Sequence, residues 1–102
     1  MFYVGIDVAK NKHDLAVIDE NGNIFEKNFR FENSYTGFQK LQTRVECLTE
    51  PFNDSIRIAL EDTGHYAYNL VKFLRKLGYP VFTYNALLIK EFVKSQSLRK
   101  TP

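Results

Sequence analysis

Two acids stand where a folded chain would favour apolar residues. Asp7 interrupts the run Phe2-Tyr3-Val4-Gly5-Ile6-Asp7-Val8-Ala9, and Glu61 closes Ser55-Ile56-Arg57-Ile58-Ala59-Leu60-Glu61. Both runs are short and rich in β-formers, so each reads as a strand, the first apolar enough to be buried on both faces. A carboxylate buried there without a partner costs several kcal/mol. If the fold brings the two acids together, they repel when both are ionised, and a divalent cation removes the conflict. Oxygen-only ligands with open water positions suit Mg²⁺ or Mn²⁺. Such an ion activates a water or hydroxyl and stabilises phosphate charge during phosphodiester cleavage or strand transfer. The plainer alternative is that Asp7 pairs with Lys10 or Lys12, and that Glu61 merely ends its strand.

The other reactive types are weaker. Asp62 follows Glu61, but successive strand residues face opposite ways. Asp14 is expected on the outward face of a second strand. His13 and His65 lack the paired spacing of a zinc site and read as surface or capping residues. Cys47 falls in an amphipathic segment with no activating neighbour, and reads as structural. Thr63-Gly64 ahead of a helix could offer backbone amides to a phosphate. Basic charge gathers at the end: between Ala86 and Pro102, Lys90, Lys94, Arg99 and Lys100 face one acid, Glu91, a local balance of +3. Together with Lys10 and Lys12, these are the candidate nucleic-acid contacts, although on charge alone an ordinary solvated helix face is the favoured reading of the C-terminal cluster.

The elements that must position these residues follow from periodicity. Residues 2 to 8 and 13 to 19 are strands, with Asn21-Gly22 as a tight hairpin turn, since both residues tolerate positive φ. Residues 24 to 32 place Phe25, Phe29 and Phe31 on one parity, the pattern of a half-covered edge strand. Ser34 caps a helix carrying Phe38, Leu41, Val45 and Leu48, which Pro51 closes. Residues 55 to 61 form a fourth strand. A helix from His65 to about Leu77 ends at Gly78. Residues 80 to 84 form a fifth strand, and Asn85 caps a last helix with Leu88, Ile89, Phe92 and Val93. The order is β-β-β-α-β-α-β-α. It predicts an α/β protein with a mixed five-stranded sheet of the ribonuclease H-like (RuvC-like) kind, helices on the sheet faces, and Asp7 and Glu61 on neighbouring parallel strands.

Composition sets the outer bounds. At 102 residues the chain suits one domain, 1–102, and its net charge of +2 does not by itself announce a nucleic-acid binder. The single cysteine excludes an internal disulfide framework and fits a reducing cytoplasm. No apolar run reaches the ~20 residues of a membrane span, and the N-terminus lacks the order of a signal peptide.

The quoted motifs carry a resemblance. Gly5-Ile6-Asp7-Val8-Ala9-Lys10, His13-Asp14-Leu15-Ala16-Val17, Leu60-Glu61-Asp62-Thr63-Gly64-His65-Tyr66, Leu77-Gly78-Tyr79-Pro80-Val81, Asn85 and Phe92 occur in the same order in one family. The chain resembles the N-terminal, RuvC-like domain of the DEDD-type insertion-sequence transposases, also called bridge-RNA-guided recombinases. That resemblance implies four acids binding divalent metal, Mg²⁺ or Mn²⁺, with Asp7 the first and Glu61 the second. The last two belong to a Lys-Thr-Asp-x-x-Asp-like stretch. Lys100-Thr101 resembles its beginning, but Pro102 follows. The chain is thus expected to be a fragment lacking half of the ligands, as well as a C-terminal domain with a nucleophilic serine, and to be inactive alone. The full-length protein is expected to cut and rejoin DNA with a guide RNA, as a homo-oligomer, in a bacterial or archaeal cytoplasm. Two other classes share the scaffold. A sugar-kinase or actin-like ATPase wants a glycine-rich turn after the aspartate, where this chain has Val8-Ala9-Lys10-Asn11-Lys12. A non-catalytic RNA-binding or dimerisation module needs no acids at all.

Overall fold

The structure is a computed structural model, and it describes residues 1–61 and 65–84. Five strands and two helices follow in the order β1 (Phe2–Asp7), β2 (Lys12–Asp19), β3 (Ile24–Glu32), α1 (Tyr35–Thr49), β4 (Ile56–Glu61), α2 (His65–Lys76) and β5 (Val81–Tyr84). A short 3₁₀ turn, Glu50–Phe52, follows α1. The expected turn at Thr63-Gly64 and the expected helix from Asn85 lie outside the described residues.

The strands form one sheet in the order β3-β2-β1-β4-β5. β2 runs antiparallel to both β1 and β3, whereas β4 is parallel to β1 and β5 to β4. This is the ribonuclease H-like arrangement. The connections β3-α1-β4 and β4-α2-β5 both join parallel strands, and both step across the sheet in the same direction. Right-handed crossovers therefore put α1 and α2 on the same face. There Phe38, Leu41 and Val45 of α1 and Ala67, Leu70 and Leu74 of α2 close over Phe2, Val4, Ile6, Leu15, Val17, Ile58 and Leu60 in one buried cluster. The two helices also touch, with the Phe38 and Phe73 rings 5.6 Å apart. Phe73 and Tyr66, which fall partly off the stripe of their helix, pack against this core.

Local chemistry sets the ends. The Ser34 hydroxyl accepts the Gly37 N–H at 3.1 Å and starts α1. Gly78, at φ 88°, closes α2. Its N–H reaches the Arg75 carbonyl at 3.0 Å, and the Tyr79 N–H reaches that of Leu74 at 3.2 Å, the paired bonds of a Schellman cap. The hairpin between β2 and β3 differs from expectation. Only Gly22 has positive φ, at 84°. The Gly22 N–H bonds to the Asp19 carbonyl, and the Asp19 carboxylate takes the N–H groups of Asn21 and Asn23. A three-residue loop ending in one left-handed glycine replaces the two-residue turn, because Asp19 supplies the acceptors that hold it. β3 is indeed an edge strand, and its pairing with β2 shifts register between Leu15 and Ile18.

The first strand is not buried on both faces. Phe2, Val4 and Ile6 point into the core, but Tyr3 is exposed and Asp7 half-buried. Both described helices cover the same side of the sheet; on the other side Tyr3, Arg57 and Phe82 are exposed.

Candidate functional site

Alternation fixes which residues share that second face. On β1 they are Tyr3, Gly5 and Asp7, because their neighbours face the helices. On β2, Ala16 pairs with Gly5 and Asp14 with Asp7. On β4, Arg57 pairs with Tyr3 and Ala59 with Gly5. On β5, Phe82 pairs with Ala59, and Arg57 lies over its ring, 5.8 Å from the centroid.

Asp7 and Glu61 are the last residues of their strands. Ile6 pairs with Leu60, so the next residue on each of these parallel strands stands at the same level. Parallel neighbours lie about 4.8 Å apart. The backbone thus carries the two acids to one edge of the sheet. The donor set suits a hard cation in kind but not in number. Among the described residues no three of His, Cys, Asp and Glu come together as a metal group.

The pairing also shows what the sequence did not. Asp14 is Asp7's direct cross-strand partner, and Arg30 is Asp14's. Directly opposed residues project to the same face. Arg30, Asp14 and Asp7 therefore form one row across three strands, and the backbone of Glu61 ends the next strand beside it. Arg30 grips Asp14 with two bonds, Nε to Oδ1 at 2.9 Å and Nη2 to Oδ2 at 3.3 Å. The Asp14 carboxylate raises the Arg30 pKa further above its ordinary value, chiefly through these bonds. Asp14 does lie on the outward face, as expected, but beside Asp7 rather than apart from it. Only the register of the β1–β2 hairpin could have disclosed this, and composition does not encode it.

The turn after Asp7 is held by two side chains. His13, expected at the surface, is fully buried. Its Nδ1 accepts the Ala9 N–H at 3.2 Å, so the ring bonds the chain just beyond Asp7. Its Nε2 has no hydrogen-bond partner among the described residues, and the ring lies 5.3 Å from that of Phe31. Burial lowers the His13 pKa below its ordinary value, against the opposing pull of Asn33 and of the Asp14 and Asp7 charges. Asn33 ties the same turn from outside. Its Nδ2 donates to the Lys10 carbonyl at 2.9 Å and to that of Tyr66, at the start of α2, at 3.4 Å. The Asn33 N–H also bonds the Asn11 carbonyl at 2.8 Å.

The remaining candidates divide simply. Lys10 and Lys12 are exposed on and after this turn. Asp62, Thr63, Gly64, Lys90, Lys94, Arg99 and Lys100 lie outside the described residues. Cys47 is exposed rather than packed in the core, because it falls on the outer side of α1. His65 is also exposed, with its ring 4.3 Å from that of Tyr66. Among the described residues, no helix is long and apolar enough to cross a membrane.

Strand order and connections place the chain in the ribonuclease H-like class. More narrowly, it belongs to the DEDD transposases of the IS110 type, a family described as transposase, which it matches over residues 4–101. It is also similar to the pilin gene-inverting proteins of Moraxella bovis and Moraxella lacunata. It is 31% identical to each over 98 residues, which is 95% of this chain and 29% of each relative. The chain thus spans less than a third of the length of these curated relatives.

Proposed function

We propose that this chain is the metal-binding catalytic domain of an insertion-sequence transposase that cuts and rejoins DNA. Asp7 and Glu61 are the first two acids of its metal site. The observation that carries the reading is the register: Ile6 beside Leu60 leaves Asp7 and Glu61 ending adjacent parallel strands at one level. Membership of a transposase family and relatives named for gene inversion supply the substrate, since inverting a gene requires DNA to be cut and rejoined.

Within that reading each residue has a task. Asp7 and Glu61 would hold Mg²⁺ or Mn²⁺, with the rest of the four-acid set supplied by residues outside the described part. When bound there, such an ion would activate an oxygen nucleophile and stabilise charge at the phosphate. His13 and Asn33 position the turn that follows Asp7, and so fix the backbone from which its carboxylate extends. Lys10 and Lys12 stand on that turn, where a DNA phosphate approaching the acids would meet positive charge. Thr63, Gly64, Lys90, Lys94, Arg99 and Lys100 complete the proposed nucleic-acid contacts. The full-length protein acts with a guide RNA and as an oligomer.

The test is a recombination assay of the full-length protein on intact DNA. Asp7→Ala and Glu61→Ala should each abolish product while leaving the protein folded. Removing one metal-bound carboxylate leaves too few charges to hold the ion, so a loss of at least 100-fold is expected, of the order seen when the surroundings of a metal site are altered. Undiminished recombination by either variant refutes the assignment.

A further inference from the structure

Arg30 and Asp14 are the members of the cross-sheet row that the metal reading leaves without a task. Arg30 sits on the edge strand β3, directly opposite Asp14. Its side chain is 63% exposed, whereas that of Asp14 is 21% exposed. The fork of two bonds turns the guanidinium back along the row, towards Asp14 and the strand that bears Asp7. A guanidinium has five N–H donors in a fixed plane. The bonds to Asp14 use two and leave three.

As a stability device this arrangement is poor. An exposed ion pair adds little to stability. Asp14 also stands directly across from Asp7, and like charges opposed in this way destabilise a sheet. The pair makes sense as a mount. Asp14 fixes the plane of the fork and stops the long side chain from sweeping the solvent. The strand bearing Asp14 is about 4.8 Å from the one bearing Asp7. A phosphate beside the acids would therefore lie within reach of the free donors. Planar, bidentate recognition of phosphate is what an arginine fork does best.

We infer that Arg30, oriented by Asp14, is a DNA phosphate contact on the sheet face opposite α1 and α2, next to the Asp7–Glu61 edge. Its placement beside the scissile region rests on the proposed metal site. The contact itself does not, because it needs only a phosphate on this face.

The experiment is DNA binding by the full-length protein to a fixed duplex, with EDTA present, across a range of salt concentrations. Each phosphate contact adds about 0.9 to the slope of log affinity against log salt. Arg30→Ala should reduce the slope by about that amount and weaken binding several-fold. Arg30→Lys should keep the slope, because it keeps the charge, but bind less tightly without the fork. Asp14→Asn should keep the slope as well. The Arg30→Ala/Asp14→Asn double variant decides between mount and counter-ion. If Arg30 touches phosphate, the double variant stays as weak as Arg30→Ala. If Arg30 only neutralises Asp14, removing that charge restores wild-type binding, and the inference fails. An unchanged slope in Arg30→Ala overturns it as well. A Mn²⁺ titration by calorimetry, with and without Asp7→Asn, tests the metal reading separately. Equal heats would sink the metal site while leaving the salt slopes to judge Arg30.

Discussion

His13 makes stability depend on pH in a way that can be worked out from its surroundings. The ring is fully buried, its Nδ1 is already an acceptor for the Ala9 N–H, and its Nε2 makes no hydrogen bond among the described residues. Protonating the ring in place would destroy the Ala9 bond and put a charge where little solvates it. Its folded-state pKa accordingly lies below the ordinary 6.5, burial being the main cause. In the unfolded chain the same histidine protonates near 6.5. Below that pH the unfolded state binds the extra proton and the folded state does not. Stability therefore falls as pH drops through this window, and levels off only below the folded-state pKa. One proton sets the ceiling on the slope, about 1.4 kcal/mol per pH unit. Urea denaturation at pH 7.5, 6.5 and 5.5 reads this as falling midpoints at constant m-value. The His13→Phe variant keeps the ring that packs on Phe31 and removes the proton. It should lose about 1 kcal/mol at pH 7.5, for the Ala9 N–H left without its acceptor. Between pH 6.5 and 5.5 it should lose little more. A slope that survives in His13→Phe, or a wild-type profile flat across the window, would show that the buried imidazole is not the group responsible.

Other outcomes follow from packing and caps. A Cβ at Gly37 would lie 2.0 Å from the Glu32 carbonyl oxygen and 2.7 Å from its carbon. Both are backbone atoms, so Gly37→Ala must prise α1 from the end of β3. It should cost about 3 kcal/mol, at the upper end for an overpacked site, as read from the urea midpoint. Leu60→Ala empties a fully buried position beside the proposed site and should cost 2–5 kcal/mol; a loss below about 1 kcal/mol in the same measurement would mean the core is not packed as described. Ser34→Ala removes the acceptor of the Gly37 N–H and should cost about 1 kcal/mol, whereas Ser34→Asp should be close to neutral.

Much of the fold was legible because its signals are local. Alternation of Phe25, Phe29 and Phe31, the spacing of Phe38, Leu41 and Val45, and the stop at Gly78 each lie within one element, and each element formed where its pattern stood. The same locality misled at Asn21-Gly22. The turn residues were right, but the Asp19 side chain, two residues earlier, decided the loop type. His13 was misjudged for a similar reason. A lone polar residue at a strand start reads as exposed, and nothing nearby says that it lies opposite Phe31 on the covered face. The acids were half legible. Asp7 and Glu61 stood out as carboxylates in apolar strands, whereas Asp14 and Arg30 looked like ordinary surface charges.

By itself, then, the sequence determined the kind and order of the described elements, the family, and the two acids worth watching. Periodicity, caps and motifs are properties of neighbouring residues and survive without a fold. The tertiary structure alone decided the company those acids keep. Sheet register is set by hairpin loops, bulges and the packing of α1 and α2, all of which act between residues far apart in the chain. A slip of one residue would turn Asp14 to the opposite face and leave Asp7 with a different neighbour. The row from Arg30 to Asp7 exists because β2 pairs with both β1 and β3 in the register that buries Leu15, Ile6 and Phe31 together, and β4 pairs with β1 so that Glu61 ends its strand beside Asp7.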